Sequence, residues 1–179
     1  MADLTGRTVA FLANRGVEEP ELAKPLKALQ DAGAKTVLLS AEDDVVTALK
    51  GDWDRGADFP VDAPIKGAKA EDFDALVIPG GTLNADSLRV DEDAVALTKA
   101  FAAAGKPIAS ICHGPWVLIE AGLVEGLEMT SYTALKTELA NAGAQWKDAE
   151  VITDRGITTS RNPDDLEAFN ARIIEQLSA

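Results

Sequence analysis

Pro107-Ile108-Ala109-Ser110-Ile111-Cys112-His113-Gly114-Pro115 decides how this chain is read. Pro107 to Ile111 is a short, mostly apolar run with the look of a buried strand, and Pro115 to Ala121 reads as a short helix. Cys112 therefore falls where a strand turns sharply into a helix. Gly114 lets the backbone turn without a Cβ clash, and such an elbow lifts a side chain out of the sheet. Unpaired amide N–H groups at a helix start favour a thiolate. The plain reading of a lone cysteine is a small buried hydrophobe, which would sit more naturally in mid-strand. Its position and its neighbour, His113, point to a nucleophile with a lowered pKa.

Outward from the elbow, apolar runs alternate with helical patterns. Thr8 to Leu12, Lys35 to Ser40 and Ala75 to Ile78 read as strands; Glu21 to Ala32 and Ala94 to Ala104 read as helices. Leu22, Leu26 and Leu29 recur at helical spacing, and Gly33 supplies the stop. Ala149 to Thr153 and Ile157 to Ser160 flank Asp154-Arg155-Gly156 as a hairpin, and Asn162-Pro163-Asp164-Asp165 opens a last helix. Residues 43–70, broken by glycine and proline, read as an irregular excursion with short strands. Uniformly apolar strands alternating with amphipathic helices imply an α/β fold: a doubly wound, mostly parallel sheet sandwiched by helices, flavodoxin-like. The 179 residues are one domain's worth, so residues 1–179 are expected to form a single domain.

Charge narrows the partners. With 30 Asp and Glu against 17 Lys and Arg, the net charge is −13. That field repels phosphate backbones and anionic membranes, so neither nucleic acid nor membrane is expected as a partner. The start, Met1 to Arg7, has no apolar segment of a targeting signal, and one cysteine permits no intrachain disulfide. A cytoplasmic location follows as the expectation. One histidine beside one cysteine is too small a set for a metal, and no cofactor is called for.

In such sheets ligands bind at the carboxyl ends of strands. Three stretches lie there: Gly16-Val17-Glu18-Glu19, Pro79-Gly80-Gly81 and the Cys112 elbow. Glu18 reads either as an acid on a helix N-terminus or as a buried donor to the Cys112 sulfur. Gly80-Gly81 reads either as a turn or as part of an oxyanion site with the amide after the cysteine. His113 reads as a proton carrier or as a satisfied histidine.

The ordered set Gly16-Val17-Glu18-Glu19-Pro20-Glu21-Leu22, Leu76-Val77-Ile78-Pro79-Gly80-Gly81, Ala109 to Pro115, Thr130-Ser131-Tyr132 and Thr159-Ser160-Arg161-Asn162-Pro163 resembles the PfpI-type intracellular peptidase family. That family sits in the class I glutamine-amidotransferase-like superfamily, which also holds the Parkinsonism-associated deglycase. The resemblance implies Cys112 as nucleophile, Glu18 as the acid hydrogen-bonded to its sulfur, and His113 as the adjacent histidine. It implies Gly81 and His113 as oxyanion donors and Tyr132 at the pocket border. It also implies Asp86, an Asp where some members have Glu, as the acid that orients a partner's His113 in a homodimer or higher oligomer. The implied activity is glyoxalase or deglycase chemistry on small carbonyl compounds or glycated proteins. A cysteine peptidase or amidase acting on peptides is the alternative, and a redox-sensing or chaperone-like protein using oxidation of Cys112 is a third reading.

Overall fold

Strand β1 (Thr8–Leu12) decides the layering, because both of its faces are apolar. Val9 and Phe11 point to one side, Ala10 and Leu12 to the other, and all four are fully buried. The computed structural model describes residues 3–178; Met1, Ala2 and Ala179, the ends of the span expected to form one domain, lie outside the described residues. After β1 come α1 (Glu19–Asp31), β2 (Lys35–Ser40), β3 (Val45–Lys50), β4 (Asp54–Pro60), β5 (Ala63–Pro64) and β6 (Ala75–Ile78). Helices α2 (Thr82–Arg89) and α3 (Glu92–Ala103) lead to β7 (Ile108–Ile111), α4 (Pro115–Glu120), β8 (Glu128–Met129), α5 (Lys136–Asn141) and β9 (Gln145–Trp146). The hairpin β10 (Val151–Asp154) and β11 (Ile157–Ser160) precedes α6 (Leu166–Ser178).

The main sheet runs β10-β11-β7-β6-β1-β2-β5, parallel throughout except for the β10–β11 pair. From β1 the chain builds one way through β2 and then returns to the other side through β6 and β7, so the strand order reverses at β1. Helices cover both faces. Leu22 and Leu29 of α1 and Phe169, Ile173 and Leu177 of α6 pack with Val9, Phe11 and Val77. Leu97 and Phe101 of α3 and Val117 and Leu118 of α4 pack with Ala10, Leu12, Leu76 and Ile78. Each fully buried large apolar side chain contributes roughly 1.5–3 kcal/mol. The expected doubly wound sandwich is therefore the observed fold.

Several details differ from the pattern in the sequence. The β10–β11 turn is two residues, Arg155 and Gly156, both with positive φ (47° and 81°), one residue shorter than read. Residues 43–70 contain an antiparallel hairpin, β3–β4, outside the main sheet. Only its Val46 and Ala48 are buried, so it carries no continuous apolar signature. The hairpin docks on the β1–α1 loop through Gly16 N–H to Thr47 O (2.8 Å) and Leu49 N–H to Val17 O (2.8 Å). That docking brings its turn, Gly51-Asp52, to the carboxyl ends of β1 and β6. Among the described residues no helix is long and apolar enough to cross a membrane.

Candidate active site

Cys112 has φ of 62°, a left-handed conformation that costs a non-glycine residue about 1–2 kcal/mol. Hydrogen bonds on both sides impose it: Cys112 N–H donates to Ser160 O (3.1 Å), and its C=O accepts from Tyr132 N–H (2.9 Å). The turn closes with Gly114 N–H to Ile111 O (2.9 Å). A Cβ at Gly114 would lie 2.6 Å from Ile78 O, so only glycine fits behind the elbow. The expected strand-to-helix elbow is present, and Cys112 is 7% exposed at the floor of a pocket.

The acid beside the sulfur is not Glu18. Glu18 is half-buried, lines the same pocket, and uses both carboxylate oxygens to accept Gly51 N–H (3.1 and 2.9 Å). Glu21, three residues on, is fully buried, accepts Gly80 N–H at Oε2 (2.8 Å) and sits beside Cys112, whose thiol it shifts. Its Oε1 has no hydrogen-bond partner among the described residues. Burial first, and the charge of Glu18 second, push the Glu21 carboxyl up to about 8, against the pull of Gly80 N–H. Glu21 thus holds its proton at neutral pH. The acid expected beside the sulfur, Glu18, is corrected to Glu21. The cause is helix phase: Glu21 shares the inward face of α1 with Leu22, Pro25 and Leu29, whereas Glu18 precedes the first turn. The signal was in the sequence, because Glu21 stands four residues before Pro25 and eight before Leu29.

The thiol itself departs from expectation. Burial and the charge of an ionised Glu21 push Cys112 up, while the N–H groups of Gly81 and His113, aimed at the sulfur, pull it down. The sulfur and the Glu21 carboxyl form one coupled acid pair at the foot of the pocket. Gly81 supplies its N–H from φ of 90°, and a Cβ there would lie 2.6 Å from Glu18 N. Gly80 offers no donor to a substrate, since its N–H is already given to Glu21. The pair Gly80-Gly81 thus divides its work: Gly80 holds the acid and Gly81 faces the sulfur.

His113 Nδ1 lies 3.2 Å from Cys112 Sγ. Its ring stacks on Tyr132 (centroids 4.8 Å apart) and meets Trp116 edge-on (5.2 Å). Burial lowers its pKa, opposed by the charges of Asp52 and Glu138, so the ring is neutral at neutral pH. Glu138 also accepts from Trp116 Nε1, and Asp52 is held at φ of 63° by Thr82 N–H (2.9 Å) and Thr82 Oγ1 (2.6 Å). Two acids of the same chain therefore act on His113 through their charge, and neither lies near it in sequence. Asp86 is not one of them: it sits exposed on α2 beside Leu83, Ser87 and Val90, away from its own chain's Cys112 pocket. Tyr132, 40% exposed, borders the pocket as expected. Asp52 was not legible, because a turn in a hairpin carries no periodicity.

The pocket has a volume of about 320 Å³ and is bordered by Glu18, Asp52, Thr82 and Pro163 around Cys112. Among the described residues no cluster of His, Cys, Asp or Glu suits a metal ion.

Comparison with known proteins places this geometry. The DJ-1/PfpI family matches residues 7–176. The "Putative cysteine protease YraA" of Bacillus subtilis is 40% identical over 171 residues, covering 96% of this chain and 98% of that protein. Deglycase PfpI of Pyrococcus furiosus is 35% identical over 169 residues, covering 94% and 98%. Among solved structures, a two-domain protein with DJ-1/ThiJ/PfpI-like and ferritin-like domains from Anabaena variabilis has a TM-score of 0.90 at 33% identity. That match covers 96% of this chain and 48% of the other. A family match over nearly every described residue, and relatives of this identity along almost their whole length, show that this chain belongs to the DJ-1/PfpI family.

Proposed function

We propose that this protein is a cysteine-dependent enzyme of the glyoxalase or deglycase type, acting on reactive carbonyls. The observation that carries the reading is the coupled pair of Cys112 and a protonated, buried Glu21 in a small pocket. The name of the archaeal relative, a deglycase, supports it.

In this reading Cys112 Sγ adds to the aldehyde carbon of a 2-oxoaldehyde. A C–S bond forms, and the carbonyl pair moves to oxygen, which takes a proton to give a hemithioacetal. The Gly81 and His113 N–H groups, which face the sulfur at rest, serve the charge on the adding oxygen. The proton on the former aldehyde carbon then leaves and returns at the neighbouring carbon through an enediol, producing a thioester. Water cleaves the thioester to a 2-hydroxy acid and frees Cys112. One water is added overall, with no oxidant or reductant consumed. Glu21, poised near neutral pH, and His113 carry the protons.

A cysteine peptidase is the second reading, favoured by the Cys112–His113 contact and the Bacillus relative's name. Purified protein incubated with methylglyoxal, and separately with a peptide substrate, separates the two. Consumption of methylglyoxal is the expected result, and peptide cleavage without it transfers the assignment to the second reading. Inertness in both assays leaves the redox reading. Pairing into a homodimer that brings Asp86 to a partner's site is a further part of the proposal. Light scattering tests it, and a monomer with full activity removes Asp86 from the site.

A further inference from the structure

The pocket above Cys112 carries an uneven charge. Glu18 and Asp52 stand at its rim, each fixed by backbone N–H groups: Glu18 by Gly51, Asp52 by Thr82 and the Thr82 hydroxyl. Among the described residues neither carboxylate has a cation partner, and no Lys or Arg borders the pocket. Three cations close to the pocket or its neighbours are engaged elsewhere, and Arg15, three residues before Glu18, lines a separate pocket with Glu42 and Asp86. Lys50, next to Gly51, lies 3.5 Å from Glu19. Arg161, two residues before the wall residue Pro163, is paired with Asp165 (2.8 Å) and Asp148 (2.7 Å). Arg89 is paired with Glu120 (3.0 Å) and lies over the outer ring of Trp116. His113 is neutral, for the reasons given above. The positive ends of dipoles that remain, the Gly81 and His113 N–H groups, lie at the floor and face the sulfur. An approaching molecule therefore meets two fixed negative charges before it meets the N–H groups of the floor, inside a concavity whose low-dielectric walls concentrate their field.

We infer that Glu18 and Asp52 form a charge gate, so that Cys112 accepts neutral and cationic carbonyl compounds and rejects those bearing a carboxylate next to the reacting carbon. Methylglyoxal, glyoxal and carbonyl adducts on lysine or arginine side chains pass the gate; glyoxylate and other 2-oxo acids do not. The gate sets the substrate class for the carbonyl reading and rests on it there, but the charge preference at the sulfur is independent of turnover. Asp52 is in this sense a specificity residue that the elbow and the buried acid do not reveal.

The test uses Cys112 as its own reporter. Its alkylation by neutral iodoacetamide and by anionic iodoacetate is measured at pH 7, and the ratio of the two rates is divided by the same ratio for 2-mercaptoethanol. Each rim charge is expected to raise that quotient about fivefold at low salt, the factor that two charges ~4 Å apart produce in water. The quotient should fall in Asp52→Asn, fall further in Asp52→Asn with Glu18→Gln, and shrink for the wild-type protein when salt is raised from low to roughly 1 M, where the screening length is about 3 Å. A wild-type quotient near one, or one that neither salt nor Asp52→Asn changes, overturns the gate. The salt series on wild-type protein keeps the test decisive if a variant fails to fold. Methylglyoxal turnover is measured in parallel, with glyoxylate as a reversible competitor, because its carboxylate cannot serve the enediol step and it can only occupy the site. Inhibition by glyoxylate at concentrations near the KM for methylglyoxal overturns the gate and leaves the carbonyl reading intact. A high quotient in a protein that does not consume methylglyoxal keeps the gate and removes the carbonyl reading.

Discussion

Glu18 and Glu21 stand one helical turn apart and have opposite fates. Glu18 faces the rim, half in solvent, with one backbone donor, Gly51 N–H, shared between the two oxygens of its carboxylate. Glu21 faces the core, is shut off from water, and is pushed up to about 8 beside the cysteine. The same side chain is a fixed charge at the mouth and a proton store at the floor. Environment, not residue type, assigns the chemistry, and the floor and rim of this pocket should respond differently to every perturbation.

The largest contrast concerns the floor. Cys112→Ser should lower methylglyoxal consumption by at least about a thousandfold with the melting temperature nearly unchanged, since nucleophile loss removes the covalent path. Comparable activity in the variant would return Cys112 to a packing role.

The next effect is on stability. The folded Glu21 carboxyl is raised above its ordinary value near 4.5, so the folded state binds the extra proton. Its contribution is full below about pH 4.5, declines as pH rises, and is lost above about pH 8; on the order of 4–5 kcal/mol is at stake. Urea melts of wild type and Glu21→Gln across pH 5 to 9 check this. The wild type should lose stability relative to the variant as pH rises, whereas Glu18→Gln should keep a falling profile that ends at lower pH, because the Glu18 charge helps to raise Glu21. Parallel curves for wild type and Glu21→Gln would place a charged carboxylate at the floor.

A smaller effect is steric. Gly114→Ala puts a methyl group 2.6 Å from Ile78 O and 3.0 Å from Ile111 O, which should cost about 1–3 kcal/mol and slow alkylation of Cys112. A fully stable, fully reactive variant would show that the elbow has room to shift. The same comparison at the rim is expected to be milder. Glu18→Gln should change unfolding free energy by no more than about 1 kcal/mol, the scale of one exposed charged hydrogen bond.

The parallel sheet was legible because β1, β6 and β7 are apolar on both faces, a pattern that only double coverage explains. The elbow was legible because Gly114-Pro115 marks a helix start immediately after such a strand. Helix α2 was not, since Gly81 starts it without a side-chain cap and few apolar residues line its face. Helix α5, six residues long, is below the length at which periodicity speaks. In the site, the sequence located Cys112, His113, Gly81 and Tyr132 in one pocket but placed the sulfur's acid one turn too early. The two acids whose charge acts on His113 come from a hairpin turn and from α5, elements whose position depends on docking rather than on any local pattern.

The central claim is that Glu21, not Glu18, is the acid coupled to Cys112, and the pH profile of iodoacetamide alkylation for wild type, Glu21→Gln and Glu18→Gln tests it most directly. Ionised Glu21 raises the thiol, and glutamine cannot ionise. Glu21→Gln should therefore move the alkylation midpoint down by about one pH unit or more, while methylglyoxal turnover falls roughly a hundredfold because the proton store is gone. Glu18→Gln should leave the midpoint close to that of the wild type. A midpoint that moves with Glu18→Gln and stays fixed with Glu21→Gln would contradict the account.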